Sequence, residues 1–134
     1  MEVINNLPPL VEVEDTDWNY YLVHPEKNDH QISRTHYNAF TNTDLHERLK
    51  KKGVKTLVIL GGYASRCVAA TTIVAADVYG YNVFVPKDLV ANLDSADIPN
   101  YQGEWVDEKQ AFLQAVEAIW GYTPSSKSIL ETWK

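Results

Sequence analysis

The sequence predicts a parallel α/β domain, a three-layer α/β/α arrangement with a mostly parallel, Rossmann-like sheet. Three observations carry this. Strand-like and helix-like segments alternate along the chain, and the helical ones run to roughly 10–16 residues. Leu57-Val58-Ile59-Leu60 is an unbroken apolar run, as expected of a strand buried on both faces of a parallel sheet. The sole cysteine, Cys67, follows that run across a Gly61-Gly62 break, at the start of a helix. That is the edge where open α/β sheets hold their ligands.

The elements follow in order. One domain is expected over residues 1–134, with residues 1–28 an irregular N-terminal segment. Pro8-Pro9 blocks a helix and favours extended backbone. Val11 and Val13 alternate with Glu12 and Glu14, which permits a short edge strand, while Trp18, Tyr20, Tyr21 and Leu22 need burial. Asp29–Ser33 permits a brief strand. Thr41–Lys52 reads as a helix, with Leu45 and Leu49 on one face. Thr43 or Asp44 can cap it, and Glu47 stands where a capping box would put it. Gly53 ends it, and residues 56–60 form the apolar strand. From Cys67 to Tyr79 the residues are small and apolar, which suits a tightly packed helix, and Gly80 ends it as a C′ glycine. Asn82–Pro86 is the next strand, and Lys87–Asn92 lies at its carboxyl end. Residues 93–104 read as a polar loop. Trp105–Trp120 reads as a helix with Phe112, Val116, Ile119 and Trp120 on one face. Ser128–Leu130 is an edge strand or a short helical turn.

Composition narrows the function. A net charge of −6 leaves no basic stripe to neutralise phosphates, so no nucleic-acid partner is expected. Lys50-Lys51-Lys52 is a short run of cations that complements a helix C-terminus. A single cysteine cannot make an intrachain disulfide, which points to a reducing compartment. No apolar stretch approaches a bilayer span, so no membrane partner is expected, and the first residues lack the pattern of a signal peptide. The cytoplasm is the expected location. Gly61-Gly62 is not a phosphate loop, because the Gly-Lys-Ser/Thr of a P-loop is absent.

Cys67 carries the chemistry. A thiolate at a helix start is stabilised by unpaired N–H groups and the positive end of the dipole, and Arg66 beside it adds charge. A free cysteine is also a common small buried hydrophobe. Position alone does not separate the two. His24, His30 and His46 show no metal-ligand spacing.

From Asp29 onward, the chain resembles the isochorismatase-like cysteine hydrolases, a superfamily that includes nicotinamidases and N-carbamoylsarcosine amidases. The residues that carry the resemblance are Gly61, Cys67-Val68, Thr71 and Gly80-Tyr81, then Asp88 after the next strand. Tyr37-Asn38-Ala39-Phe40 with Thr43 and Leu45 is similar to a second family pattern ahead of the nucleophile strand. The resemblance implies a cysteine hydrolase that cleaves a small amide or related C–N bond through a thioester on Cys67. Its substrate would be a small molecule, with no cofactor. It places the oxyanion in the turn ahead of Cys67, at Gly62, Tyr63 and Arg66, with the Cys67 amide as a donor and any cis bond near Gly62-Tyr63. The family's lysine falls on Arg34, which keeps the charge but cannot share a proton. His36 could contact substrate or serve as an alternative base, or be a packed loop residue. Phe40 and Tyr63 could wall the pocket or pack in the core. Arg66 could pair a substrate carboxylate.

The family's Asp ends a first strand that precedes a helix and a second strand. The 33 residues ahead of Arg34 carry no such β-α-β pattern, so the fold is expected to lack that portion. Asp15, Asp17 and Asp29 stand in no matching context, and none is assigned as the base. The nicotinamidase metal site belongs to the same missing part, so no metal is expected. A sheet without that strand exposes apolar surface and open backbone, which implies a homo-oligomer or an N-terminal strand in the vacant place. The other reading is a degenerate, non-catalytic member that keeps the fold and binds a ligand or a protein partner.

Overall fold

A computed structural model of the chain describes residues 24–92, 98–99 and 102–133. The expectations for residues 1–23, including the edge strand at Val11 and Val13, lie outside the described residues. Backbone packing separates residues up to Gln31 from those beginning at Ile32. In the first unit, residues 24–31 hold a turn rather than a strand: the Asp29 amide donates to the Glu26 carbonyl (3.0 Å), and the Glu26 amide donates to the Asp29 carboxylate (2.9 Å). Everything that follows belongs to the second unit.

Helix α1 spans Leu45–Lys51, four residues shorter at its start than expected. Asn42 explains the difference. Its φ of 55° lies in the left-handed region that asparagine tolerates, and a helix cannot run through it. No capping box forms either, because Asp44 instead takes the Arg48 guanidinium at 2.7 Å. The expected strand 56–60 is realised as β1 over Thr56–Val58 only, and a second strand, β2 (Gly61–Gly62), follows where a break was expected. Helix α2 follows as three consecutive pieces, a wide i→i−5 turn at Ala64–Val68, an α-helical stretch at Ala69–Ile73 and a second wide turn at Val74–Val78. Gly80, at φ 68°, supplies the left-handed residue after it.

β3 is Asn82–Phe84 and β4 is Val90–Ala91. β1 pairs parallel with β3, Leu57 opposite Val83, and β2 pairs parallel with β4, Gly61 opposite Val90. The partner strand therefore loops out three extra residues between the two ladders. The Leu89 amide closes that loop on the Pro86 carbonyl at 2.9 Å, and the Gly61 amide then reaches the Leu89 carbonyl at 3.0 Å.

The region expected to be loop holds a short antiparallel pair, β5 (Ile98–Pro99) with β6 (Trp105–Val106). Helix α3 thus begins at Glu108, not at Trp105. It runs through Ala115 and ends in a wide turn, Val116–Trp120. The wide turn advances fewer degrees per residue, so Trp120 comes beneath Val116 while Ile119 rotates outward and is 69% exposed. β7, Gly121–Tyr122, is the third strand of the main sheet, in the order β1-β3-β7. Residues 128–130 are part of helix α4, Ser126–Thr132, whose first turn the Ser125 hydroxyl caps by accepting from the Ser128 amide at 3.2 Å.

The core forms on one side of this sheet. Val83 and Val85 are fully buried, and with Ala64, Val68, Ala75, Phe112 and Val116 they form the central cluster. The small side chains of α2 let the helix backbone approach the sheet. The other side differs from the expectation of a strand buried on both faces. Val58 and Leu60 are exposed, and Tyr122 stacks on Phe84 at 5.0 Å with its own ring largely in solvent. No helix among the described residues is long and apolar enough to cross a membrane.

Candidate active site

The site is built on the break between β2 and α2. The Gly62–Tyr63 peptide bond is cis. Ala64 is fully buried and Val68 nearly so, which pins the turn to the core at both ends. Between them Cys67 is half-buried, and Gly62, Tyr63 and Arg66 face solvent. Cys67 is the fourth residue of the helical run rather than the first, because the run begins at Ala64. It still stands in the opening turn, at the carboxyl edge of the sheet. Its thiol has no hydrogen-bond partner among the described residues.

Three amides of this turn are already engaged. Those of Arg66 and Val68 both donate to the Tyr63 carbonyl, at 3.1 and 3.2 Å. The Ser65 amide donates to Asn92 Oδ1 at 3.2 Å. The Arg66 amide is therefore turned inward, away from an oxyanion role. The Ser65 hydroxyl donates to Glu108 Oε2 at 2.6 Å, and Glu108 Oε1 lies 3.9 Å from the Arg66 guanidinium. Arg66 thus already has a carboxylate beside it. The sequence places Ser65 in the turn ahead of Cys67 but does not pair it with Asn92 or Glu108. Asn92 and Glu108 stand 27 and 43 residues from Ser65, and no local pattern joins them.

The other expected residues lie on the loop ahead of α1. Arg34 is exposed, and its guanidinium donates to the carbonyl of His36. His36 is exposed as well, with Nδ1 3.1 Å from the Thr35 hydroxyl. Phe40 is buried against Tyr79 and Tyr81, at ring distances of 5.0 and 6.2 Å, and so packs in the core. Asn38 holds this loop by accepting from the Phe40 amide at 3.1 Å. The Ala39 amide donates to the Thr71 hydroxyl at 3.1 Å, which fastens the loop to α2 one turn beyond Cys67. The structure thus joins the two sequence patterns at Ala39 and Thr71. It places Arg34 and His36 against each other, and Gly62, Tyr63, Arg66 and Cys67 on one turn.

Two titrating groups are shifted by their surroundings. Burial raises the Tyr81 hydroxyl above its ordinary value, with Tyr79 and Glu47 adding to the effect, and that hydroxyl lies 3.1 Å from His46 Nδ1. Asp88 is held below the usual carboxylate range by the Ser126 hydroxyl (2.5 Å) and amide (2.8 Å). Asp88 therefore anchors the start of α4. Among the described residues, no group of three or more His, Cys, Asp or Glu side chains is placed to hold a metal ion.

Comparison with known proteins matches residues 9–116 to the isochorismatase domain. A secreted isochorismatase effector of Verticillium dahliae is 32% identical over 108 residues, which is 78% of this chain and 52% of that protein. Streptothricin hydrolase of Streptomyces noursei is 32% identical over 84 residues, covering 62% of this chain and 30% of that one. A protein of Arabidopsis thaliana named "Probable inactive nicotinamidase" is 36% identical over 66 residues, 49% of this chain and 34% of its own. The chain thus spans about half the length of the first of these relatives and about a third of the other two. Among solved structures, a cysteine hydrolase from Pseudomonas syringae pv. phaseolicola superposes with a TM-score of 0.71 at 22% identity, over 81% of this chain and 50% of that one. At that identity the likeness establishes the fold alone.

Proposed function

Because the chain belongs to the isochorismatase family, we propose that it is a cysteine hydrolase that cleaves a small amide or related C–N bond, with Cys67 as the nucleophile. The observation that carries this reading is the place of Cys67: half-buried, in the opening turn of α2, at the carboxyl edge of a parallel sheet. The family's Gly, Cys-Val and Thr pattern surrounds it. A relative named streptothricin hydrolase supports the same class of chemistry.

The thiolate sulfur bonds to the substrate carbonyl carbon, and the displaced electron pair moves to oxygen. With the amides of Ser65, Arg66 and Val68 engaged, the Cys67 amide is the donor we assign to that oxyanion. A preorganised donor aimed at developing charge is a major source of rate enhancement. Collapse breaks the C–N bond, and the amine leaves with the proton that the thiol gave up. Water then cleaves the thioester to a carboxylic acid and restores the thiol. Arg34, in the place of the family's lysine, supplies positive charge on the neighbouring loop.

A second reading, a non-catalytic member that retains the fold and binds a ligand, rests on Arg34. Its guanidinium is engaged by the His36 carbonyl, and the Cys67 thiol has no carboxylate partner among the described residues. One experiment separates the two. In a panel of small amides, the hydrolase reading expects turnover of at least one, falling by about three orders of magnitude or more in Cys67→Ser. Turnover that survives this substitution refutes Cys67 as the nucleophile, and a panel with none favours the second reading.

A further inference from the structure

Ser65 stands two residues before Cys67, and both its amide and its hydroxyl leave the turn. The amide bonds Asn92 Oδ1 at 3.2 Å. The hydroxyl lies 2.6 Å from Glu108 Oε2 and 3.4 Å from Asn92 Oδ1. It has one proton to give, and the shorter approach to the carboxylate takes it. Glu108 is the first residue of α3, and the Asp107 carboxylate fixes that helix start by accepting from the Gln110 amide at 2.9 Å. The carboxylate is therefore presented from a rigid element.

Its burial needs an explanation. The Glu108 side chain is only 11% exposed, and its partners are one hydroxyl and a guanidinium at 3.9 Å. Burying a carboxylate is costly, and an apolar residue would pack the same position without that cost. What the carboxylate adds is a directional hold on the turn that carries Cys67. That turn needs one from outside, since its own bonding is the looser i→i−5 kind and three of the seven residues from Gly62 to Val68 face solvent.

We infer that Glu108, acting through Ser65 with Asn92 as a second anchor, is a positioning residue for Cys67. It holds the turn so that Cys67 and its own amide keep their place at the start of α2. The inference rests on the reading of Cys67 as the nucleophile. Its test does not need turnover.

Cys67 is the only cysteine, so alkylation of the full chain by iodoacetamide reports on it alone. The rate is measured against pH for the wild type, Ser65→Ala, Glu108→Ala, the double variant and Ser65→Thr. A loosened turn frays the helix start, and a frayed start offers less of its positive dipole end to a thiolate formed there. Ser65→Ala and Glu108→Ala should each raise the midpoint of the profile and slow alkylation at pH 7 by about three- to tenfold. The double variant should be no slower than either, because both act through one bond. Ser65→Thr keeps the hydroxyl and should keep the wild-type profile. A carboxylate that acts only as nearby negative charge predicts the opposite sign, since its removal would lower the midpoint and speed alkylation. That result, or an unmoved midpoint in folded Ser65→Ala, overturns the inference. If Glu108→Ala does not fold, Ser65→Ala and Ser65→Thr decide. Shifted midpoints without hydrolysis of any amide would retire the catalytic reading and leave the positioning role standing. Turnover lost in Cys67→Ser with midpoints unmoved would do the reverse.

Discussion

Gly121 is the position where the sheet has no room for a side chain. A Cβ built there falls 2.2 Å from the Val83 carbonyl oxygen and 3.0 Å from its carbon. Ordinary contact begins at 3.4 Å. Both partners are backbone, so no rotamer relieves the clash, and in Gly121→Ala β7 must retreat from β3 by about 1 Å or more. That movement strains the Val85 amide bond to the Tyr122 carbonyl, 2.8 Å long, and the Lys87 amide bond to Pro124, 3.1 Å long. Two such bonds contribute about 1 kcal/mol each. Overpacking adds about 1–3 kcal/mol. The expected loss is therefore about 3–5 kcal/mol, a large share of the roughly 5–15 kcal/mol that holds a typical domain together. At about 4 °C per kcal/mol for this size, the melting temperature should fall by about 12–20 °C. Urea denaturation followed by circular dichroism measures the loss directly. The φ of Gly121 is extended and suits alanine, so the effect must come from the close approach alone. A loss under about 1 kcal/mol would mean that β3 and β7 do not meet as described, and the third strand of the sheet would have to be reassigned.

Two other perturbations probe the core and the sheet's functional edge. Thr72 is fully buried, and its hydroxyl has no partner among the described residues. Thr72→Val keeps the shape and removes the unpaired group, so it should stabilise the fold by about 1 kcal/mol in the same urea assay, and a loss of stability would reveal a partner for the hydroxyl. Ser126 lowers the carboxyl of Asp88 in the folded state, so that carboxylate contributes stability at pH values above its unfolded value of about 3.9. The contribution disappears as the pH falls through the depressed folded value. Asp88→Asn should therefore flatten the acid limb of the stability profile below about pH 4, and an unchanged limb would refute the anchoring of α4 by Asp88.

What the sequence showed and what it hid follow from the range of the interactions. The strand that opens the apolar run and the stop at Gly80 are local signals that stand where the pattern placed them, whereas the break falls at residues 59–60, and Gly61–Gly62 pairs as β2. The Gly62–Tyr63 cis bond was implied by family resemblance, not by any pattern of the residues themselves. β7 was invisible because two residues, Gly121 and Tyr122, carry no strand periodicity and are held by the backbone of β3. The outward turn of Ile119 was hidden because a 3.6-residue period does not describe a wide turn. Asn42 shortened α1 by a single positive φ that composition does not announce. Around Cys67, the place of the cysteine in the opening turn of a helix was legible. The Ser65, Asn92 and Glu108 network was not, since it unites three segments only after the chain has folded.

The central claim is that Cys67 forms a covalent acyl intermediate. Intact-protein mass spectrometry of the full chain, quenched in acid during turnover of an active small amide, tests it most directly. The account predicts a mass increase equal to the substrate's acyl group, located on Cys67 and absent from Cys67→Ser. Turnover with no acyl group on Cys67 at any quench time, at a rate that Cys67→Ser retains, would contradict it.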